Sequence, residues 1–164
     1  MGFTGLHVAA FFGNIDILTL LWTVRDWDMN RRDSAGRTPL VWAVMSGRLK
    51  VVKMLLDLGV SVREKDNEGR TPLSWAAGNG YDKIARALLR KDQATFRIVD
   101  NNSRTPLLWA AMSGKEDIVN LLLKKEQNVG WVDSTGQTAA AANGHEGVVK
   151  ILLQQKNVNL DVRD

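Results

Sequence analysis

The 164-residue chain has no cysteine, three prolines, two histidines and one tyrosine. Without cysteine there are no disulfides and no thiolate-held metal, and a reducing compartment fits, so an intracellular location is the expectation, cytoplasmic first and nuclear as the alternative. The two histidines, His7 and His145, stand far apart, and neither has a repeated carboxylate or hydroxyl at motif spacing. A Gly-x-x-x-x-Gly-Lys phosphate loop and metal-ligand spacings are also missing, so the chain is read as a non-enzyme with no metal and no cofactor. Paired acids such as Asp26 with Asp28 and Glu116 with Asp117 read as solvated charge. No run of about 18 apolar residues occurs, which leaves no candidate membrane span. Met1 to Gly13 lacks the basic start and small-residue cleavage site of a secretory signal. Neither sign of charge dominates: 22 Lys and Arg face 18 Asp and Glu, a net +4. That mild, interspersed excess is weak support for a nucleic-acid partner.

The scarce prolines all fall in one motif. Arg37-Thr-Pro-Leu-Val-Trp-Ala43, Arg70-Thr-Pro-Leu-Ser-Trp-Ala76 and Arg104-Thr-Pro-Leu-Leu-Trp-Ala110 are near-copies. Thr38, Thr71, Thr105 and Thr138 follow one another at 33, 34 and 33 residues. A fixed period of this length means one supersecondary unit stacked several times. Each unit opens with a polar turn, Asp33 to Gly36, Asp66 to Gly69, Asp100 to Ser103 and Asp133 to Gly136. Threonine then sits at a helix N-cap, with proline at the first helical position where no donor is lost. The first helix stops at Gly47, Gly80 or Gly114, suited to a left-handed cap. A second helix carries an apolar stripe: Val51, Val52, Leu55 and Leu56; Ile84, Leu88 and Leu89; Ile118, Val119, Leu122 and Leu123; Val148, Val149, Leu152 and Leu153. One unit cannot bury such a stripe alone, so neighbouring units must bury it together.

Turn, helix pair and Thr-Pro-Leu-x-x-Ala core together resemble the ankyrin repeat family, over essentially the whole chain. Thr4-Gly-Leu-His-Val-Ala-Ala10 gives a further unit that keeps the family histidine at His7. Tryptophan in Thr-Pro-Leu-x-Trp-Ala is similar to fungal-type arrays in large multidomain signalling proteins. The resemblance implies an all-α solenoid, one ankyrin repeat domain over 1–164, with units at about 1–32, 33–65, 66–99, 100–132 and 133–164. It also implies a protein–protein interaction module, a scaffold, adaptor or sensor, that binds a protein partner through its concave turn tips and first-helix ends.

Residues matching those contact positions are Arg37, Met45 and Ser46; Asn67, Glu68, Arg70 and Asn79; and Asn101, Asn102, Arg104, Met112 and Ser113, with Phe11 and Phe12 as an apolar anchor. Arg37, Arg70 and Arg104 form a column, ended by Gln137, that can take carboxylates or phosphates in bidentate fashion. The plainer reading is that arginine suits this solvated turn position. Methionine supplies adaptable apolar surface. Trp42, Trp75 and Trp109 form a second column, either a stacking ladder for bases or a proline-rich peptide, or core filler whose indole N–H needs a partner. Nucleic-acid binding through the arginine column and a purely architectural spacer are the alternative functions.

Two departures stand out. From Thr138 to Gly144 there are six steps where the inner units have nine, so the fifth unit lacks three residues. That shortens its first helix by roughly 4.5 Å, and a distorted segment is expected. Ser103 replaces the turn glycine, so Asn102 or Ser103 must tolerate a left-handed backbone. Met1 begins within a turn and Asp164 sits where a next unit would open, so the sequence reads as a segment of a longer array or multidomain protein.

Overall fold

A computed structural model describes residues 4–23, 27–124 and 142–153, and among them every regular element is helical. The first unit is α1 (Gly5–Phe12) and α2 (Ile15–Thr23), the second α3 (Pro39–Met45) and α4 (Leu49–Asp57). The third is α5 (Pro72–Asn79) and α6 (Asp82–Lys91), the fourth α7 (Pro106–Met112) and α8 (Glu116–Leu123), and α9 (Glu146–Leu153) belongs to the fifth. Inner helices α1, α3, α5 and α7 pack on one another in sequence, and α2, α4, α6, α8 and α9 form the second layer. The expected all-α solenoid is therefore the observed architecture.

The helix starts follow from the motif. Val41, Ser74 and Leu108 donate their backbone N–H to the hydroxyls of Thr38, Thr71 and Thr105 at 3.3, 3.2 and 3.2 Å. The leucine two residues after each cap, Leu6, Leu40, Leu73 or Leu107, is fully buried between helices. Truncating any one of them to alanine costs about 2–5 kcal/mol, because the stacked neighbours cannot collapse into the space. Unit 1 has no proline and uses His7 instead. Its Nε2 lies 3.0 and 3.1 Å from the carbonyls of Arg31 and Arg37, so that nitrogen carries the proton. Its Nδ1 then accepts from the Thr4 N–H at 3.1 Å. The histidine thus closes its own helix start and ties it to the turn of the second unit.

Helix ends lock the stack. Gly47 and Gly80 have φ of 69° and 77°, and the second helix of the following unit begins over each of them. A Cβ on Gly47 would stand 3.1 Å from the Tyr81 ring, and one on Gly80 would stand 2.9 Å from the Lys115 side chain. Glycine is required there both for the left-handed turn and for the close approach. At the fourth turn it is Ser103 itself that takes the left-handed conformation, φ 61°.

One element has no counterpart in the repeat pattern. Gln93–Arg97 is a 3-10 turn capped by Asp92, which accepts from Ala94 N–H at 2.9 Å, and it buries Thr95 and Phe96. It occupies the unit that carries the extra residue. The expected distortion after Thr138 and the end of the arginine column at Gln137 lie outside the described residues.

Candidate partner-binding surface

Among the described residues, the opening aspartates Asp33, Asp66 and Asp100 each organise a clamp. Asp66 Oδ1 accepts from the backbone N–H of Glu68 and Arg70 at 3.0 and 2.9 Å, closing the turn. Its Oδ2 accepts from the Trp75 indole at 2.9 Å and from Arg70 Nε at 3.3 Å. The Arg70 guanidinium lies over the Trp75 ring, 3.8 Å from its centroid. Asp33 does the same with Ala35, Arg37 and Trp42, the indole at 2.9 Å and Arg37 stacked at 4.4 Å. Asp100 accepts from Asn102 and Arg104 and from the Trp109 indole at 3.0 Å, with Arg104 at 5.5 Å from that ring. All three aspartates are buried. Burial opposes ionisation of Asp33, but the Arg37 amide, the Trp42 indole, the Arg37 charge and the Ala35 amide outweigh it and hold the carboxyl below its ordinary value.

This geometry answers the question of where each indole N–H goes. The nine-residue separation in Asp33/Trp42, Asp66/Trp75 and Asp100/Trp109 is the sequence signal for it. It also redefines the arginine column. Arg70 is engaged by Asp66 on one side and by Glu68 at 2.8 Å on the other, and its side chain is only 16% exposed. Arg37 likewise pairs with Asp33 at 3.1 Å. These guanidiniums first brace their own turns.

The turn tips are joined from unit to unit. Asn67 donates its backbone N–H to Ala35 and its side-chain amide to the Ser34 carbonyl, both at 2.9 Å. Asn101 repeats this on Glu68 and Asn67, at 3.0 and 2.9 Å. The tips of Asn67, Glu68, Asn101 and Asn102 are exposed. They form a hydrogen-bonded edge whose spacing is fixed by the stack, so any partner meets it preformed.

Beside that edge, the ends of the inner helices make a half-exposed strip: Phe11 and Phe12 on α1, Met45 and Ser46, then Trp75 and Asn79, then Trp109, Met112 and Ser113. Phe11 meets Phe12 and Trp42 edge-on at 5.2 and 5.6 Å. Ser46 Oγ donates to the Trp42 carbonyl at 2.7 Å and Asn79 to the Trp75 carbonyl at 3.0 Å, so these polar groups finish their helices as well as lining the strip. Between α5 and α7 the strip deepens into a groove of about 170 Å³ lined by Arg70, Ser74, Trp75, Gly78, Asn79, Trp109 and Ser113. Gly78 keeps it open: a Cβ there would meet Trp109 at 3.7 Å and Ser113 at 3.9 Å, ordinary contact distances. The tryptophans are thus both core and surface. Their N–H groups are spent on aspartate, and their rings pack against the core while Trp75 and Trp109 line the groove.

Stacked helix pairs, joined turn tips and a rigid inner strip define a helical repeat scaffold, quasi-one-dimensional in its stability. The chain belongs to the ankyrin repeat family: the family model described as ankyrin repeats (3 copies) matches residues 6–98 and 93–164. Among curated proteins it is similar to the human (Homo sapiens) ankyrin repeat and SAM domain-containing protein 3, 37% identical over 57 residues. That match takes in 35% of this chain and 9% of the relative. Ankyrin repeats serve generally as protein–protein interaction modules. Among the described residues no helix is long and apolar enough to cross a membrane.

Proposed function

We propose that this chain recognises a protein partner on the strip formed by the ends of α1, α3, α5 and α7, with the groove between Trp75 and Trp109 as its anchor point. The observation that carries this reading is a preformed aromatic recess beside a fixed polar edge. Binding energy concentrates where an aromatic or apolar side chain can be fully desolvated, and Trp75, Trp109 and the Arg70 stem provide such walls. Phe12, 67% exposed, and Met45 and Met112 extend the apolar contact along the strip. The arginines add charge at the rim through whatever faces their clamps leave accessible. A nucleic-acid reading has less to stand on, since Arg37 and Arg70 are already neutralised by aspartate.

Replacing the arginines with glutamate is a poor test, because it breaks the turn clamps. Gly78 separates the two roles. Gly78→Ala fits the space and improves helix propensity, whereas Gly78→Phe fills the groove. Partners captured from a cell extract by the wild-type chain are expected to survive Gly78→Ala and to be lost with Gly78→Phe, at equal helicity by circular dichroism. Specific partners that survive Gly78→Phe combined with Met45→Ala and Met112→Ala would overturn the assignment. Equal function of that triple variant in the cell would favour the spacer reading, and capture that collapses with salt would favour nucleic acid.

A further inference from the structure

Among the described residues, every exposed large hydrophobic side chain lies on α1 or α2, between Val8 and Trp22. Ile17 is 45% and Leu20 65% exposed, and Leu21 is only partly buried. The repeat shows what these positions do elsewhere. Ile17 corresponds to Val51, Ile84, Ile118 and Val148, none of them more than 2% exposed. Leu21 corresponds to Leu55, Leu88, Leu122 and Leu152, again 1% or less. Each of those residues has a unit stacked before it; among the described residues, none is stacked before α2. The side on which they pack is marked by the grooves between outer helices: Ala87 of α6 faces the seam with α4, and Leu121 of α8 the seam with α6. Leu20 stands at the same repeat position as Ala87 and Leu121. Moreover Ile17, Leu20 and Leu21 are residue for residue the same as Ile118, Leu121 and Leu122 of α8.

We propose that this outer face of the first hairpin, centred on Ile17 and Leu20, docks a further helix pair of the ankyrin type, presented to it as α5 and α6 are presented to α7 and α8. Such an interface is already in the molecule: Ile118, Leu121 and Leu122, the same side chains in the same positions, are buried where a pair precedes them, and Met54 and Ile151, which share the place of Leu20, are partly buried there. Contiguous apolar surface of this kind on one side only marks an interaction face.

The test is to build the occupant. A second copy of residues 66–101 placed directly before Met1 keeps the repeat register, with Met1 where Asn102 stands after the original. Thermal unfolding of this fusion is expected to begin at least 5 °C above the parent chain, with the added amides protected from hydrogen exchange. Ile17→Lys with Leu20→Lys supplies the control. In the parent chain the pair changes Tm by no more than about 1 °C, since both side chains are exposed there and a lysine stem can lie on the helix with its charge in water, while in the fusion it abolishes the gain. Equal tolerance of the lysine pair in both proteins, or an added unit that stays unprotected, would overturn the proposal. So would a parent chain that is a dimer by light scattering and becomes a monomer with the lysine pair, since the occupant would then be a second copy.

Discussion

The first hairpin and the third are the same fold held by different means. In the third, Asp66, Arg70 and Trp75 form a clamp within one unit, and the link to its neighbours is made by asparagines and packed leucines. In the first, valine replaces the tryptophan of the column at Val8, and the polar fastening is His7, which reaches across to carbonyls of the next unit. One brace is local and ionic; the other is a neutral crosslink between units. The difference teaches that the repeat needs its turn tied down but not by one particular chemistry. It also predicts that the first and third hairpins fail under different conditions.

The comparison can be broken most severely at Asp66. Asp66→Ala removes the turn acceptor, the indole acceptor and the partner of Arg70 together, and should cost about 3 kcal/mol in urea unfolding. A cost below about 1 kcal/mol would mean that the clamp adds little. His7→Ala should cost less, about 1–2 kcal/mol, and with a distinct pH dependence. Burial holds the His7 imidazole below its ordinary value, against the pull of the Arg37 and Arg31 carbonyls. The folded state therefore favours neutral His7, and its contribution is complete above the ordinary histidine value of 6.5. It is lost as pH falls through the depressed folded value. Asp33, also held low, keeps its contribution above the ordinary carboxyl value of 3.8 and loses it below. Hydrogen exchange across a pH series is thus expected to loosen α1 before the turn at Asp33, and His7→Ala should erase the first step alone. The smallest effect is a gain. Ser103→Gly relieves the left-handed backbone at φ 61° and should raise stability by about 0.5–1 kcal/mol, read as a higher denaturation midpoint.

Most of the fold was legible because its signals are local. A threonine cap, a proline after it and a glycine at the end need only neighbouring residues to act, and the apolar stripes of α4, α6 and α8 repeat at helical spacing. The Gln93–Arg97 turn was not anticipated: a five-residue 3-10 turn carries no periodicity, and Asp92 and Thr95 were its only cue. The candidate surface was legible in position but not in role. Arg37 and Arg70 looked like free readers because their partners, Asp33 and Asp66, come close only when the turn folds back, and the tryptophan donors complete the same contact from the helix. Ser46 and Asn79 likewise spend hydrogen bonds on their own helices. Phe11 and Phe12 stand on the strip as an apolar pair, while the exposure of Ile17 and Leu20 shows only when each unit is compared with the next.

Aspartate and tryptophan act as one device in the turns of Asp33, Asp66 and Asp100, and the proposed recognition surface rests on the ring faces rather than on the arginines. A double-mutant cycle of Asp66→Ala and Trp75→Phe, measured by urea unfolding, tests it most directly. Trp75→Phe keeps an aromatic ring and removes only the indole donor and some area. Coupling of about 1 kcal/mol or more is expected, with the double variant less damaged than the sum of the singles. Additive losses, within about 0.3 kcal/mol, would contradict the account.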